Sequence, residues 1–168
     1  MVTTYKSPLH QMTQTTSTCL WNDSADIDEL SYAIDNGAVG ATCNPVIAVT
    51  ILKKEIKVWN DRVRELMREM PGATEDQVGW KLVQEMSVRA AKLLEPAFEE
   101  HEGRNGRLSI QTDQRLYRDS TAIIANTERF GELAKNMIVK IPATRAGILA
   151  IEEATFRGIS INNRKSVV

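Results

Sequence analysis

Lys140 stands inside the most apolar run of the sequence, Met137-Ile138-Val139-Lys140-Ile141-Pro142, with three β-branched residues around it. A β-strand alternates its side chains, so Lys140 lies on the opposite face from Val139 and Ile141. Burying an ammonium costs several kcal/mol unless it is paired, so desolvation favours the neutral amine, the form that attacks carbonyl carbon. An edge-strand lysine turned to water would show the same local sequence and would blunt aggregation. The apolar character of the run favours the nucleophile.

Four more polar residues stand where candidate strands end before their turns: Asp23, Asn44, Gln111 and Asn162. In a βα barrel such positions open onto the C-terminal face, where loops assemble active sites. Turn chemistry alone also places Asp and Asn there. Asn44 before Pro45 is fully explained as a helix cap, and Asp23 could equally cap the first helix. Asp113, Arg115, Arg118 and Asp119 read as a solvated loop with salt bridges rather than a phosphate clamp.

The elements that must position these residues follow a strand-then-helix rhythm. Candidate strands cover Thr18–Asn22, Val39–Thr42, Arg107–Gln111, Met137–Ile141 and Ile159–Asn162. Asp26 with Glu29 opens a helix carrying Ile27, Leu30 and Ile34, which Asn36-Gly37 stops. After Asn44-Pro45 a long helical stretch sets Leu52, Ile56, Trp59, Val63, Leu66 and Met70 on one face until Pro71-Gly72. Thr74 with Gln77 forms a capping box, and Val78, Leu82, Met86, Ala90 and Leu94 repeat at intervals of four. Pro96 is expected to bend or end that helix. Ile123, Phe130, Leu133 and Ala134 mark the next one. The last begins at a Thr144 cap, carries Ile148 and Ile151, and stops near Gly158. Alternating strands and helices predict parallel strands with right-handed crossovers, as a doubly wound sheet or a barrel. No glycine-rich phosphate loop follows any strand, which lowers a nucleotide-binding reading.

Composition narrows the partners. The 168 residues have a formal net charge of −1, 42% hydrophobic and 26% charged residues. That balance gives no field for nucleic acid or an anionic membrane. No apolar run approaches the roughly 20 residues a membrane helix needs, so the cytoplasm is the expected compartment. Residues 1–17 read as a polar, loosely ordered N-terminal arm, and residues 18–168 as a single domain. Cys19 and Cys43 are expected to be small buried fillers. His10 and His101 lie far apart, leaving no basis for a metal site.

Four blocks together resemble the transaldolase family in order and spacing: Trp21-Asn22-Asp23-Ser24-Ala25-Asp26, Gly40-Ala41-Thr42-Cys43-Asn44-Pro45, Leu108-Ser109-Ile110-Gln111-Thr112-Asp113 and Ile138-Val139-Lys140-Ile141-Pro142-Ala143-Thr144. The resemblance runs from about Thr18 to Asn162. It implies an α/β (β/α)8 TIM barrel, present as about five strands with a long helical insertion after the second. It implies transfer of a dihydroxyacetone unit between sugar phosphates, in the pentose phosphate pathway, without a cofactor. Lys140 would be the Schiff-base lysine, and Asp23 would handle the proton of the substrate C4 hydroxyl. Asn44 and Asn162 would hydrogen-bond the dihydroxyacetone part, with Thr42 and Ser109 as further substrate-binding residues.

Two departures from that family pattern alter the expectation. Gln111 stands where the family usually has a catalytic glutamate acting through a water, and glutamine can orient that water but not take its proton. A fructose 6-phosphate aldolase-like activity is the alternative this implies. After Asn162 the family continues Ala-Thr-Val-Ser, whereas this sequence reads Asn163-Arg164-Lys165-Ser166-Val167-Val168, a pattern that a frameshift would produce. The expectation is then an open barrel lacking the strands that hold the family's phosphate-binding arginine and serines. Such a chain would be prone to self-association, or would be a catalytically inactive fragment or pseudogene product.

Overall fold

The computed structural model describes residues 4–164. Five strands, β1 (Leu20–Asn22), β2 (Ala38–Cys43), β3 (Arg107–Gln111), β4 (Met137–Pro142) and β5 (Ile161–Arg164), form one sheet in sequence order, every neighbouring pair parallel. The sheet does not close; it is a partial (β/α) barrel. Residues 165–168, on which the frameshift reading mainly falls, lie outside the described residues, as do residues 1–3.

Helices cover one face of the sheet. After β1 comes α2 (Ile27–Asp35), and after β2 come α3 (Pro45–Lys54), α4 (Ile56–Glu69) and α5 (Glu75–Glu100). α6 (Ser120–Gly131) follows β3 and α7 (Arg145–Phe156) follows β4. Met137, Val139 and Ile141 alternate with less buried neighbours and join Leu108, Ile110, Ala41 and Cys43 against these helices. Leu94, Ile123, Phe130 and Ala154 supply the facing core, all fully buried. The other sheet face is therefore set aside for the polar strand-end residues.

Several expectations change. The segment read as a loose arm holds a helix, α1 (Pro8–Thr15), because Ser7 caps His10 N and Pro8 occupies the first turn. α5 runs through Pro96 to Glu100 rather than ending. Proline there forfeits one bond to the Lys92 carbonyl, and both residues are exposed, so water can satisfy that carbonyl. On α7 the buried face is Gly147, Ala150 and Ala154, while Ile148 is exposed, as is Ile56 on α4. Small residues there let the helix lie close to the sheet.

The cysteines divide. Cys43 is buried in the core, and burial pushes its thiol up to about 11 despite hydrogen bonds from Ser87 and the Asn44 amide. Cys19 is exposed beside Asn105, contrary to the buried reading, because it lies just ahead of β1, outside the strand itself. Native protein should thus release one equivalent in a thiol titration at about pH 8 within minutes. The second should react only on denaturation; rapid labelling of both would contradict this packing.

At the start of α2, Asp26 is nearly fully buried, accepts from Asp28 N and Glu29 N, and pairs with Lys54 Nζ at 2.8 Å. Burial opposes its ionisation, but Lys54 and the two amides outweigh it and hold the carboxyl below its ordinary range. The folded form therefore binds this proton less readily than the unfolded chain. The associated stability is present above the unfolded carboxyl pKa and lost as pH falls through the lower folded value. Asp26→Ala should cost about 2 kcal/mol at neutral pH, from the cap and the stranded pair, and flatten acid sensitivity. Urea midpoints at about pH 7 and about pH 3 check both; an unchanged midpoint at neutral pH would remove the cap and pair from the account.

Candidate functional site

Register brings the strand-end residues together. Gln111 lies opposite Lys140, and Lys140 opposite Asn162. Continuing the β2–β3 register one residue past Cys43 and Ile110 puts Asn44 beside Gln111. These four make one row across the sheet. Two residues towards the strand starts, Thr42 lies opposite Ser109, and Asp23 follows the Asn22–Ala41 pair onto Thr42. That second row is about 6.6 Å away, at about 3.3 Å per residue. All seven residues singled out in the sequence thus share the face turned from the helices.

Side-chain contacts fit this arrangement. Thr42 Oγ1 donates to Asp23 Oδ1 at 2.6 Å, joining β2 to the end of β1. Asn162 Nδ2 reaches Ser109 Oγ at 3.5 Å, across from β5 to β3. Because Asp26 takes the α2 cap, Asp23 is left free of that duty and sits exposed at the rim. Asn44 does cap α3: its Oδ1 accepts from Val46 N and Ile47 N at 2.9 and 3.0 Å. Its Nδ2 remains available as a donor. Ser109 and Gln111 are buried, whereas Lys140 is half-buried.

Among the described residues, Lys140 Nζ has no ion pair or hydrogen bond. Its backbone is held instead: the Lys140 carbonyl accepts from Thr112 N at 3.1 Å and Thr112 Oγ1 at 3.3 Å. Thr112 is fully buried, and nothing in its local pattern marks it as the residue that fixes the lysine's height. Below the rows, Gly40 makes room for Trp21, whose ring atoms would lie 2.4 Å from a Cβ at that position. An indole floor, two polar rows and an unpaired amine can bind hydroxyls and present a nucleophile to a carbonyl. Of the loop expected to carry salt bridges, Arg115 pairs with Asp113 and Asp76, and Asp119 caps Ala122 N. Among the described residues no three His, Cys, Asp or Glu side chains gather as a metal site would require.

Residues 20–163 match the family described as Transaldolase/Fructose-6-phosphate aldolase. Transaldolase 1 of Streptomyces avermitilis is 35% identical over 127 residues, covering 74% of this chain and 32% of that protein. The transaldolase of Thermobifida fusca is 31% identical over 165 residues, covering 93% and 44%. That of Acidothermus cellulolyticus is 30% identical over 152 residues, covering 85% and 40%. The chain therefore spans less than half the length of these curated relatives.

Proposed function

Because this chain belongs to the transaldolase/fructose-6-phosphate aldolase family, we propose that its site carries transaldolase-type transfer of a dihydroxyacetone unit between sugar phosphates through a Schiff base on Lys140. The observation that carries this reading is the row of Asn44, Gln111, Lys140 and Asn162 across the register-locked strands β2 to β5. The amine attacks the ketose carbonyl, a carbon–nitrogen bond forms, and the oxygen leaves as water. The iminium then accepts the electron pair of the breaking C3–C4 bond while Asp23 takes the C4 hydroxyl proton and the aldehyde departs. Asn44 Nδ2, Asn162, Thr42 and Ser109 orient hydroxyls. The remaining enamine attacks the acceptor aldehyde, the new alkoxide takes the proton back from Asp23, and water hydrolyses the product iminium to free the Lys140 amine. The pentose phosphate pathway and the cytoplasm are the setting this reading implies; no described helix is long and apolar enough to cross a membrane.

Gln111 favours a second reading within the same chemistry. An amide orients water but accepts no proton from it. Where no acceptor intervenes, the enamine is protonated and hydrolysed, and the outcome is simple aldol cleavage of fructose 6-phosphate.

Borohydride reduction in the presence of fructose 6-phosphate or dihydroxyacetone, followed by peptide mass mapping, tests the core of both. A reduced adduct on Lys140 supports the Schiff base; no adduct from a chain shown to be folded makes this a fragment without chemistry. Free dihydroxyacetone in the absence of an aldose phosphate acceptor separates cleavage from transfer. The outer edges of β1 and β5 have no strand partner among the described residues, which supports self-association. A monomeric elution volume at all concentrations would count against it.

A further inference from the structure

We propose that the cleft where the start of α5 meets α6 and the β3–α6 connection is a second ligand site, one that takes a small organic carboxylate. Asn126 of α6 carries the proposal: it lines the cleft and is only 6% exposed. Its Oδ1 accepts from Asp113 N at 3.0 Å, which fixes the orientation of the amide. Its Nδ2 then has no acceptor among the described residues. Among those residues, the buried side-chain atom sealed off without a partner is Asn136 Oδ1; Asn126 Nδ2 is not sealed and opens onto the cleft. Buried amides are almost always bonded, so a donor left open towards a cleft marks a place for an acceptor.

The surroundings define that acceptor. The cleft spans about 850 Å³, with Met70, Trp80 and Leu116 as its apolar wall. The three carboxylates in its lining are taken: Glu69 pairs with Arg62, and Asp76 and Asp113 pair with Arg115. Lys81 and Arg129 line it too, and neither has an ion pair among the described residues. An ammonium, a guanidinium and an amide N–H together match one carboxylate. A phosphate dianion would meet stronger repulsion from the three carboxylates already present. Trp80 supplies an apolar surface for the body of the ligand, and Phe130 steadies its ring at 5.7 Å between centroids. The Arg115–Asp76 pair ties the β3–α6 connection to α5, whose first turn the Thr74–Gln77 capping box holds. None of the strand-end residues beside Lys140 lines the cleft, so the site stands apart from the Schiff-base reading.

Benzoate titrated into the full chain tests the proposal, read by NMR on the side-chain amide of Asn126 and the indole N–H of Trp80. Both signals should shift saturably below about 10 mM benzoate. Asn126→Asp keeps the acceptor for Asp113 N and replaces only the open donor, so it should bind at least about tenfold more weakly while staying folded. Lys81→Met should weaken binding by a similar factor. Arg64→Met removes the same charge from the exposed face of α4 and should bind as the parent does. Benzamide, with the same ring and no charge, should bind at least about tenfold more weakly than benzoate. No saturable shift in the folded parent overturns the proposal, as does unchanged affinity in folded Asn126→Asp. Benzamide or inorganic phosphate binding as tightly as benzoate overturns the assignment to an organic carboxylate. Because the titration uses no Lys140 chemistry, it decides the cleft whether or not an adduct forms there.

Discussion

Lys140→Met leaves the chain folded and abolishes the borohydride-reducible adduct. Methionine keeps the length and apolar stem of lysine and removes only the amine. Lys140 has no ion pair to strand among the described residues and is half-buried on the open face, so the substitution should change stability by less than about 1 kcal/mol. The other lysines make poor substitutes. Lys54 is paired with Asp26, and Lys135 with Glu95 and Glu99, which hold both in the ammonium form, above the ordinary lysine range. Neither lies beside the amides and hydroxyls that would hold a ketose. Lys140→Arg should be equally inert, since a guanidinium forms no Schiff base, and it separates loss of the amine from loss of the charge. An adduct of unchanged yield on another lysine would remove Lys140 from the mechanism while leaving the fold untouched.

What the sequence made legible is what local physics decides. The alternation in Met137–Pro142, the Asn44-Pro45 start of α3, the Thr74–Gln77 capping box and the Asp26 cap each follow from a few adjacent residues, and each is present in the fold. Parallel strands followed from the strand–helix rhythm, but that rhythm left a doubly wound sheet and a barrel open, and the strand order in the sheet is the barrel's. Other features depended on neighbours that no local window contains. Pro96 is tolerated because it sits in the last turns of a helix and faces water. Ile148 is exposed because α7 approaches the sheet through Gly147, Ala150 and Ala154 instead. Within the site, residue types at strand ends were readable but their adjacency was not. A shift of one residue in either register would send Gln111 or Asn162 to the helix face, and only the sheet fixes that register. The division of labour between Asp26 and Asp23 was open for the same reason: both fit a cap, and packing assigned it to the buried one.

Gly147→Ala should destabilise the chain by about 2–3 kcal/mol, although alanine is the better helix former by about 1 kcal/mol. A Cβ at position 147 would lie 1.8 Å from the Pro142 carbonyl oxygen and 3.0 Å from its carbon, both rigid backbone atoms. The helix cannot simply step back. Thr144 N donates to the same Pro142 oxygen at 2.8 Å, and Thr144 Oγ1 both accepts from Gly147 N at 3.0 Å and donates to the Tyr117 carbonyl. Relief must therefore move the first turn of α7 together with the end of β4, two residues beyond Lys140. Adduct formation on Lys140 should slow along with the loss of stability. Gly79, inside α5 with no atom within 4 Å of the place a Cβ would take, supplies the opposite case. Gly79→Ala should raise stability by up to about 1 kcal/mol and leave the adduct rate unchanged. Urea unfolding of the two variants side by side reads steric contact against helix propensity at the same substitution. If Gly147→Ala proves as stable as Gly79→Ala, then α7 does not press on the end of β4, and the lysine strand is not held from that side.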